Sequence, residues 1–222
     1  MPQKRPTHSM EGIMKKQKVV AAAVLAVTLA LGAGTASAAE GRPYVGVAAG
    51  VAILEDSTLS DRTGSVSVTY NPGFVLNGTA GYEFKNGLRV EGEFNYRRAE
   101  MDRVSVGNIG AAISSTAWSI GMMANGYYDF RNSSVVTPYL GAGIGFVNVN
   151  VDDGSINGIR VWSKADDTVF AYQVAVGAAL DMTRQAALDI GYRYFGTDDP
   201  RFDTAKGTYT SHNIMLGLRY RF

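Results

Sequence analysis

Residues 88–97 read LRVEGEFNYR, and apolar and polar side chains alternate along the whole stretch. The apolar positions begin at Leu88, and the charged or polar positions between them begin at Arg89. Successive side chains of a β-strand point to opposite faces of the sheet. The stretch therefore predicts a strand with one apolar face and one charged face. The same period of two recurs in residues 186–194 and in residues 213–222, which read NIMLGLRYRF.

Alternation of this kind can be placed in eight segments of the chain: 43–53, 69–84, 88–98, 115–130, 137–150, 168–181, 186–196 and 209–222. The connections alternate between short turns, one of which contains the hairpin dipeptide Asn86-Gly87, and long segments at 54–68, 99–114, 151–167 and 197–208. Short turns at one end and long loops at the other are typical of an outer-membrane barrel. We therefore predict an all-β fold, a single eight-stranded antiparallel up-and-down transmembrane β-barrel. A soluble β-sandwich also has alternating strands, but it gives no reason for such regular sorting of loop lengths.

The N-terminal residues predict export. A basic segment that begins at Met14 precedes an apolar run at 19–31 and the small residues Ala36-Ser37-Ala38. This order is that of a secretory signal peptide, with cleavage between Ala38 and Ala39. The apolar run is shorter than the roughly 20 residues that a spanning helix needs. Met14 is a candidate start, so residues 1–13 are interpreted as a gene-model extension, residues 1–38 as the signal peptide and residues 39–222 as the barrel.

Composition and motifs argue against several functions. The chain has no cysteine, which excludes disulfides and thiolate metal sites. Lysine and arginine (21) nearly balance aspartate and glutamate (20) and are scattered, so no nucleic-acid partner is predicted. The acidic pairs at 152–153, 166–167 and 198–199 lack the spacing of a calcium loop, and we predict no metal or cofactor. His212, beside Ser211, is the one histidine of the predicted mature chain and is expected to face outward near the outer rim. Its spacing does not match that of barrel lipid A deacylases, and no enzyme activity is predicted.

The predicted inward face of the barrel is charged. Since an eight-stranded barrel is just wide enough for side chains to fill it, we expect a salt-bridged network that plugs the lumen. Gly141, Gly143 and Gly145 are expected to face inward and to make room for bulky side chains. The alternative interpretation is a narrow porin-like channel for ions or small molecules. The predicted network consists of Glu83, Arg89, Glu91, Glu93, Arg97, Asp129, Asp181, Asp189, Arg193, Arg219 and Arg221.

Aromatic residues lie near the predicted strand ends, as in membrane-interface belts. A periplasmic belt is predicted from Phe84, Tyr128, Phe130, Tyr220 and Phe222. An outer belt is predicted from Phe74, Tyr96, Trp118, Phe146, Phe170 and Tyr194.

Four segments resemble the opacity-type and OmpA-like families of small bacterial outer-membrane barrels, often called porin-family proteins: residues 43–50, 138–145, 188–194 and 218–222. The last strand also resembles the terminal signature that the barrel-assembly machinery reads, with alternate residues Ile214, Leu216, Leu218, Tyr220 and Phe222. The resemblance implies location in the bacterial outer membrane, with lipid and lipopolysaccharide as surroundings. It further implies a structural or surface role, in envelope integrity, adhesion or antigenic display, through outer loops that contact a host or cell-surface ligand.

Overall fold

The computed structural model describes residues 41–60, 65–106, 109–202, 205–206 and 209–222. They form fifteen β-strands, and no helix among them is long and apolar enough to cross a membrane. The strands are β1 (Gly41–Leu54), β2 (Ser57–Ser60), β3 (Ser65–Tyr70), β4 (Gly73–Phe84), β5 (Leu88–Val106), β6 (Ile109–Ala112), β7 (Thr116–Asp129), β8 (Val136–Val151), β9 (Gly154–Ile156), β10 (Ile159–Trp162), β11 (Ala165–Asp181), β12 (Ala186–Thr197), β13 (Arg201–Phe202), β14 (Ala205–Lys206) and β15 (Thr210–Arg221).

Eight of these strands close into an antiparallel barrel. Each pairs with its neighbour in the order β1, β4, β5, β7, β8, β11, β12 and β15. The last strand then pairs with the first, so that Val47 lies opposite both Leu218 and Gly78. Closure pairs every backbone group of the wall, which is what allows a sheet to cross hydrocarbon. The predicted eight-stranded barrel is confirmed, and so is the hairpin turn, where Gly87 adopts a φ of 90°.

The second predicted strand, 69–84, was wrong at its start. Pro72 lacks the N–H that a continuous ladder needs, and the chain breaks there into β3 and β4. The Asn71 N–H donates instead to the Glu100 carbonyl, 2.9 Å away.

The long outer segments are not irregular loops. β13, β14, β2 and β3 pair in that order and continue onto the outer half of β5, whose outer end also pairs with β6. β5 has 19 residues, which at about 3.3 Å per residue is roughly 60 Å. With a tilt of about 40°, such a strand rises roughly 45 Å along the barrel axis, well beyond the apolar band of about 25 Å of an outer-membrane barrel. β9 and β10 form a separate hairpin around Asn157 and Gly158, both with positive φ. The barrel therefore carries an ordered outer sheet beyond the membrane.

Apolar side chains cover the outward face, and aromatic rings lie near both ends of it. At the periplasmic end the rings pair edge to face, with Tyr128 and Phe130 5.1 Å apart and Tyr220 and Phe222 5.4 Å apart. At the outer end Tyr96 lies 5.8 Å from Phe74 and 6.3 Å from Trp118. The belts mark the two membrane interfaces and so fix the depth of every lumen residue.

Candidate functional site

The periplasmic half of the lumen holds a network of ion pairs. Arg221 bridges Glu83 (Nε to Oε2, 2.8 Å) and Asp181 (Nη1 to Oδ1, 2.7 Å). Arg219 donates from Nη2 to Asp189 Oδ1 at 2.8 Å. Its Nη1 lies 3.8 Å from both Glu83 and Asp129. These short, charge-assisted contacts compensate the cost of taking the ions out of water.

Arg89 extends the network toward the middle of the barrel. Its guanidinium lies 3.3 Å from Asp129 and 3.4 Å from Glu91. It also stacks 4.1 Å from the centroid of the Tyr127 ring. The Tyr44 hydroxyl donates to Glu91 at 2.5 Å. Every carboxylate at this level therefore has a donor.

Glu93 is the centre of the middle level. It forms an ion pair with Arg193 and accepts from Asn125 Nδ2 at 3.2 Å. Gln173 donates from Nε2 to Asn125 Oδ1 at 2.7 Å, and Arg193 donates to the Tyr127 hydroxyl at 3.1 Å. The structure thus brings together ten of the eleven predicted lumen charges. Side chains that the sequence analysis did not name (Tyr44, Tyr127, Asn125 and Gln173) connect them.

Arg97 is the eleventh residue, and it lies apart from the ion pairs. It is fully buried, donates from Nη1 to Asn95 Oδ1 at 2.8 Å, and stacks 3.7 Å from the centroid of Phe195. Within the described chain, its Nε and Nη2 have no hydrogen-bond partner. A buried donor without a partner is costly, and Arg97 has two such nitrogens, whereas Arg193 and Arg219 have one each among the described residues.

Toward the outer end the lumen also holds apolar side chains, which lie beside the buried Arg97 and beside buried polar residues such as Ser119 and Asn213. Val75, Met123, Val147, Phe195 and Met215 belong to one buried cluster that continues upward beneath the outer sheet. We call these five residues the apolar layer. The predicted network that plugs the lumen was composed of charged residues alone and did not include this apolar cluster.

A small polar cavity of about 70 Å³ lies within the charge network, lined by Tyr44, Asn77, Glu91, Asp189, Arg193 and Arg219 among others. Gly143 shows how tightly the wall is filled, because a Cβ there would overlap the side chain of Asn125.

His212 faces outward at the outer rim, on β15. Its Nδ1 lies 2.6 Å from the Tyr192 hydroxyl, and its Nε2 lies 2.8 Å from Glu55 Oε1. The Ser211 side chain lies on the opposite face, fully buried, 3.4 Å from Asn213 Oδ1. His212 therefore has an acid partner but cannot activate the adjacent serine as a nucleophile, which needs the two groups within hydrogen-bond reach.

The outer sheet buries a titratable group outside the membrane. Burial, together with the nearby Tyr209, raises the pKa of the Tyr70 phenol, on β3, to about 12. A hydrogen bond with Ser57 acts in the opposite direction. Tyr70 is therefore neutral at physiological pH and packs against the buried cluster.

The remaining predicted residues lie as follows. Ile214, Leu216, Leu218, Tyr220 and Phe222 are all exposed on the outward face of β15. The predicted signal peptide and its cleavage site at Ala38 and Ala39 lie outside the described residues. No group of three or more potential metal ligands occurs in the part of the chain that the structure describes.

Comparison with known proteins gives a consistent family. The sequence model described as outer membrane protein beta-barrel domain matches residues 22–222. Outer membrane protein PagN of Salmonella typhimurium is 32% identical over 116 residues, which cover 45% of this chain and 48% of PagN. The chain thus spans about half the length of that relative. A putative adhesin of Rickettsia conorii is 24% identical over 173 residues, which cover 69% of this chain and 70% of the adhesin.

Among solved structures, the crystal structure of Neisserial surface protein A is similar to this chain. It is 26% identical in sequence with a TM-score of 0.50, over 81% of this chain and 97% of the other. The family match, the fold and the two aromatic belts therefore all indicate a barrel in the outer membrane of Gram-negative bacteria.

Proposed function

We propose, since the chain belongs to the outer membrane protein β-barrel family, that it acts at the cell surface through its outer sheet and hairpin, without enzyme activity and without conducting solutes. The observation that carries this proposal is the two-level filling of the lumen. Ion pairs occupy the periplasmic half, while the apolar layer, Arg97 and buried polar side chains occupy the outer half. A barrel filled in this way offers its outer surface, rather than its interior, for contact with other molecules.

The outer surface supports a role in contact with other cells. The β9–β10 hairpin projects Ile159 and Val161, of which 72% and 48% are exposed. Contiguous exposed apolar groups rimmed by polar ones mark interaction sites. The relation to a putative adhesin supports the same role.

The charge of this surface favours a particular ligand chemistry. Carboxylates outnumber cations among the outer residues whose side chains the structure describes. Such a surface attracts basic groups and repels sulfated or phosphorylated polymers. We infer a protein ligand that presents basic residues. The carboxylates are Glu55, Asp56, Glu100, Asp102, Asp152, Asp153, Asp166, Asp167, Asp198 and Asp199, and the cations are Arg98, Arg103, Arg160 and Lys164.

Two further partners belong to the proposal. Lipopolysaccharide would surround the outer belt, and the barrel-assembly machinery would read the outward row of β15 that ends at Phe222. The exposure of this row to the membrane supports the second contact.

The test uses a non-adherent bacterial strain that expresses the protein on its surface. We compare adhesion to cultured animal cells for the wild type, for a variant with residues 154–162 replaced by a short glycine-serine turn, and for Arg97→Met in the lumen. The proposal expects adhesion to fall at least severalfold in the hairpin variant and to stay unchanged in the lumen variant. Equal adhesion in all three, at equal surface expression, would contradict it.

A further inference from the structure

The periplasmic end carries one cation at each chain connection. Lys85 lies in the β4–β5 turn, Arg131 in the β7–β8 turn and Arg184 in the β11–β12 turn, while Arg42 lies at the start of β1. We call these four residues the basic collar. The three turns themselves contain no carboxylate. The collar therefore has the opposite charge to the outer rim.

The aromatic belt sets the depth of the collar. Phe84 directly precedes Lys85, and Phe130 directly precedes Arg131. Each ring pairs edge to face with a tyrosine two residues earlier, at 5.0 and 5.1 Å. Since aromatic rings favour the membrane–water interface, the cations beside them lie at the level of the lipid headgroups.

Two described carboxylates at this end are engaged with arginines. Glu83 accepts from Arg221 at 2.8 Å and from Arg131 at 3.0 Å, and Asp181 accepts from Arg221 at 2.7 Å. These two carboxylates therefore compensate a lumen cation and one member of the collar, Arg131.

Two members of the collar are held together despite their like charge. Arg42 donates from Nη1 to the Arg184 carbonyl at 3.2 Å. Within the described part of the chain, neither makes an ion pair with a carboxylate. Both residues are exposed at this end of the barrel, so their guanidinium groups are accessible to an anion from the surrounding lipid.

We propose that the basic collar binds the phosphodiester headgroups of anionic phospholipids, of the phosphatidylglycerol class, in the periplasmic leaflet. Guanidinium groups match phosphate oxygens in geometry and charge, and clusters of Lys and Arg at a membrane surface select anionic lipids. The site lies at the opposite end of the molecule from the outer sheet and is independent of its function. It anchors the barrel from below and fixes its vertical position.

The experiment measures lipid selectivity directly. The full chain is folded into phosphatidylethanolamine vesicles, and spin-labelled phosphatidylglycerol and phosphatidylcholine report their relative association with the protein. The collar variant is Arg42→Gln/Lys85→Gln/Arg184→Gln, in which three exposed residues change and Arg131, which also joins two turns, is kept. The matched control, Arg98→Gln/Arg160→Gln/Lys164→Gln, removes the same charge at the outer end.

We expect wild type and control to prefer phosphatidylglycerol at least about twofold at low salt, and the collar variant to lose the preference. Salt should weaken the wild-type preference, because it screens exposed charges. This second measurement needs no variant and so does not depend on folding of the mutants. No preference in the wild type, an unchanged preference in the collar variant, or an equal loss in the control would overturn the proposal.

Discussion

Two buried arginines of the lumen are expected to contribute differently to the stability of the folded barrel, because they differ in their hydrogen-bond partners. Arg219 donates to Asp189 at 2.8 Å, whereas Arg97 has two donors with no partner in the described chain. Removing one partner of a buried ion pair leaves an uncompensated charge. Replacing a poorly paired charge by an apolar group of similar size is often neutral or favourable.

We therefore expect Arg97→Met to leave the free energy of unfolding unchanged or to raise it. Arg219→Met should lower it by about 3–5 kcal/mol. Reversible urea unfolding in lipid vesicles measures both variants. A loss for Arg97→Met as large as that for Arg219→Met would show that Arg97 is fully paired in the folded protein.

Tyr70 predicts a dependence of stability on alkaline pH. Its pKa rises on folding from its ordinary value near 10 to about 12, because burial disfavours the phenolate. The neutral phenol therefore contributes stability that is complete below pH 10 and is lost as the pH rises through 12. We expect the urea midpoint of the wild type to fall in this window more steeply than that of Tyr70→Phe. Parallel curves for the two proteins would contradict this assignment.

At the scale of a strand, two glycines of the wall differ in what surrounds them. A Cβ at Gly143, on β8, would overlap Asn125, whereas a Cβ at Gly78, on β4, meets nothing within 4 Å. Overpacking a filled interior is destabilising. We expect Gly143→Val to reduce the fraction that folds in detergent severalfold and Gly78→Ala to fold as the wild type does. The shift in gel mobility between heated and unheated samples measures the folded fraction, and similar fractions for both would count against a filled lumen.

The strands also show what the sequence could and could not predict. The alternation of apolar and polar residues located the eight barrel strands. Because every second residue of a strand shares a face, it also placed the lumen charges together on the inward face. The same alternation places Asn125 on the inward face with Asp129, although the predicted network contained charged residues alone. The apolar layer was missed because the alternation reverses where a strand leaves the lipid. On β8, Ile144 faces outward, while Val147 and Val149 face inward.

That reversal has a physical cause which a sequence alone does not locate. Within the membrane the outward face of a strand contacts hydrocarbon and is therefore apolar. Beyond the membrane the outward face contacts water, so the apolar side chains lie on the inward face instead. The pairing of the outer strands was also beyond prediction, because β14 meets β2 from a distant part of the chain. The break at Pro72 could have been predicted from the sequence, because proline lacks the N–H that a continuous ladder needs.

For the whole molecule, the apolar layer predicts where a barrier to conduction lies. The triple variant Met123→Ala/Phe195→Ala/Met215→Ala shortens three side chains of this layer and should leave room for water above the ion pairs. Because the ion pairs still fill the periplasmic half, we expect this variant to stay tight in vesicle flux measurements, as we do for Glu83→Gln/Arg221→Gln, and only the combination of the two to leak small ions. A leak in the second variant alone would place the barrier among the charges instead.

The most direct test of the account is a planar-bilayer recording of the folded wild-type protein. The filled lumen predicts no stable channel openings, at any voltage that the bilayer withstands, in preparations shown to be folded by their gel mobility. Long-lived openings of uniform size on the nanosiemens scale would contradict the account, because they would require a continuous aqueous path through the ion pairs and the apolar layer.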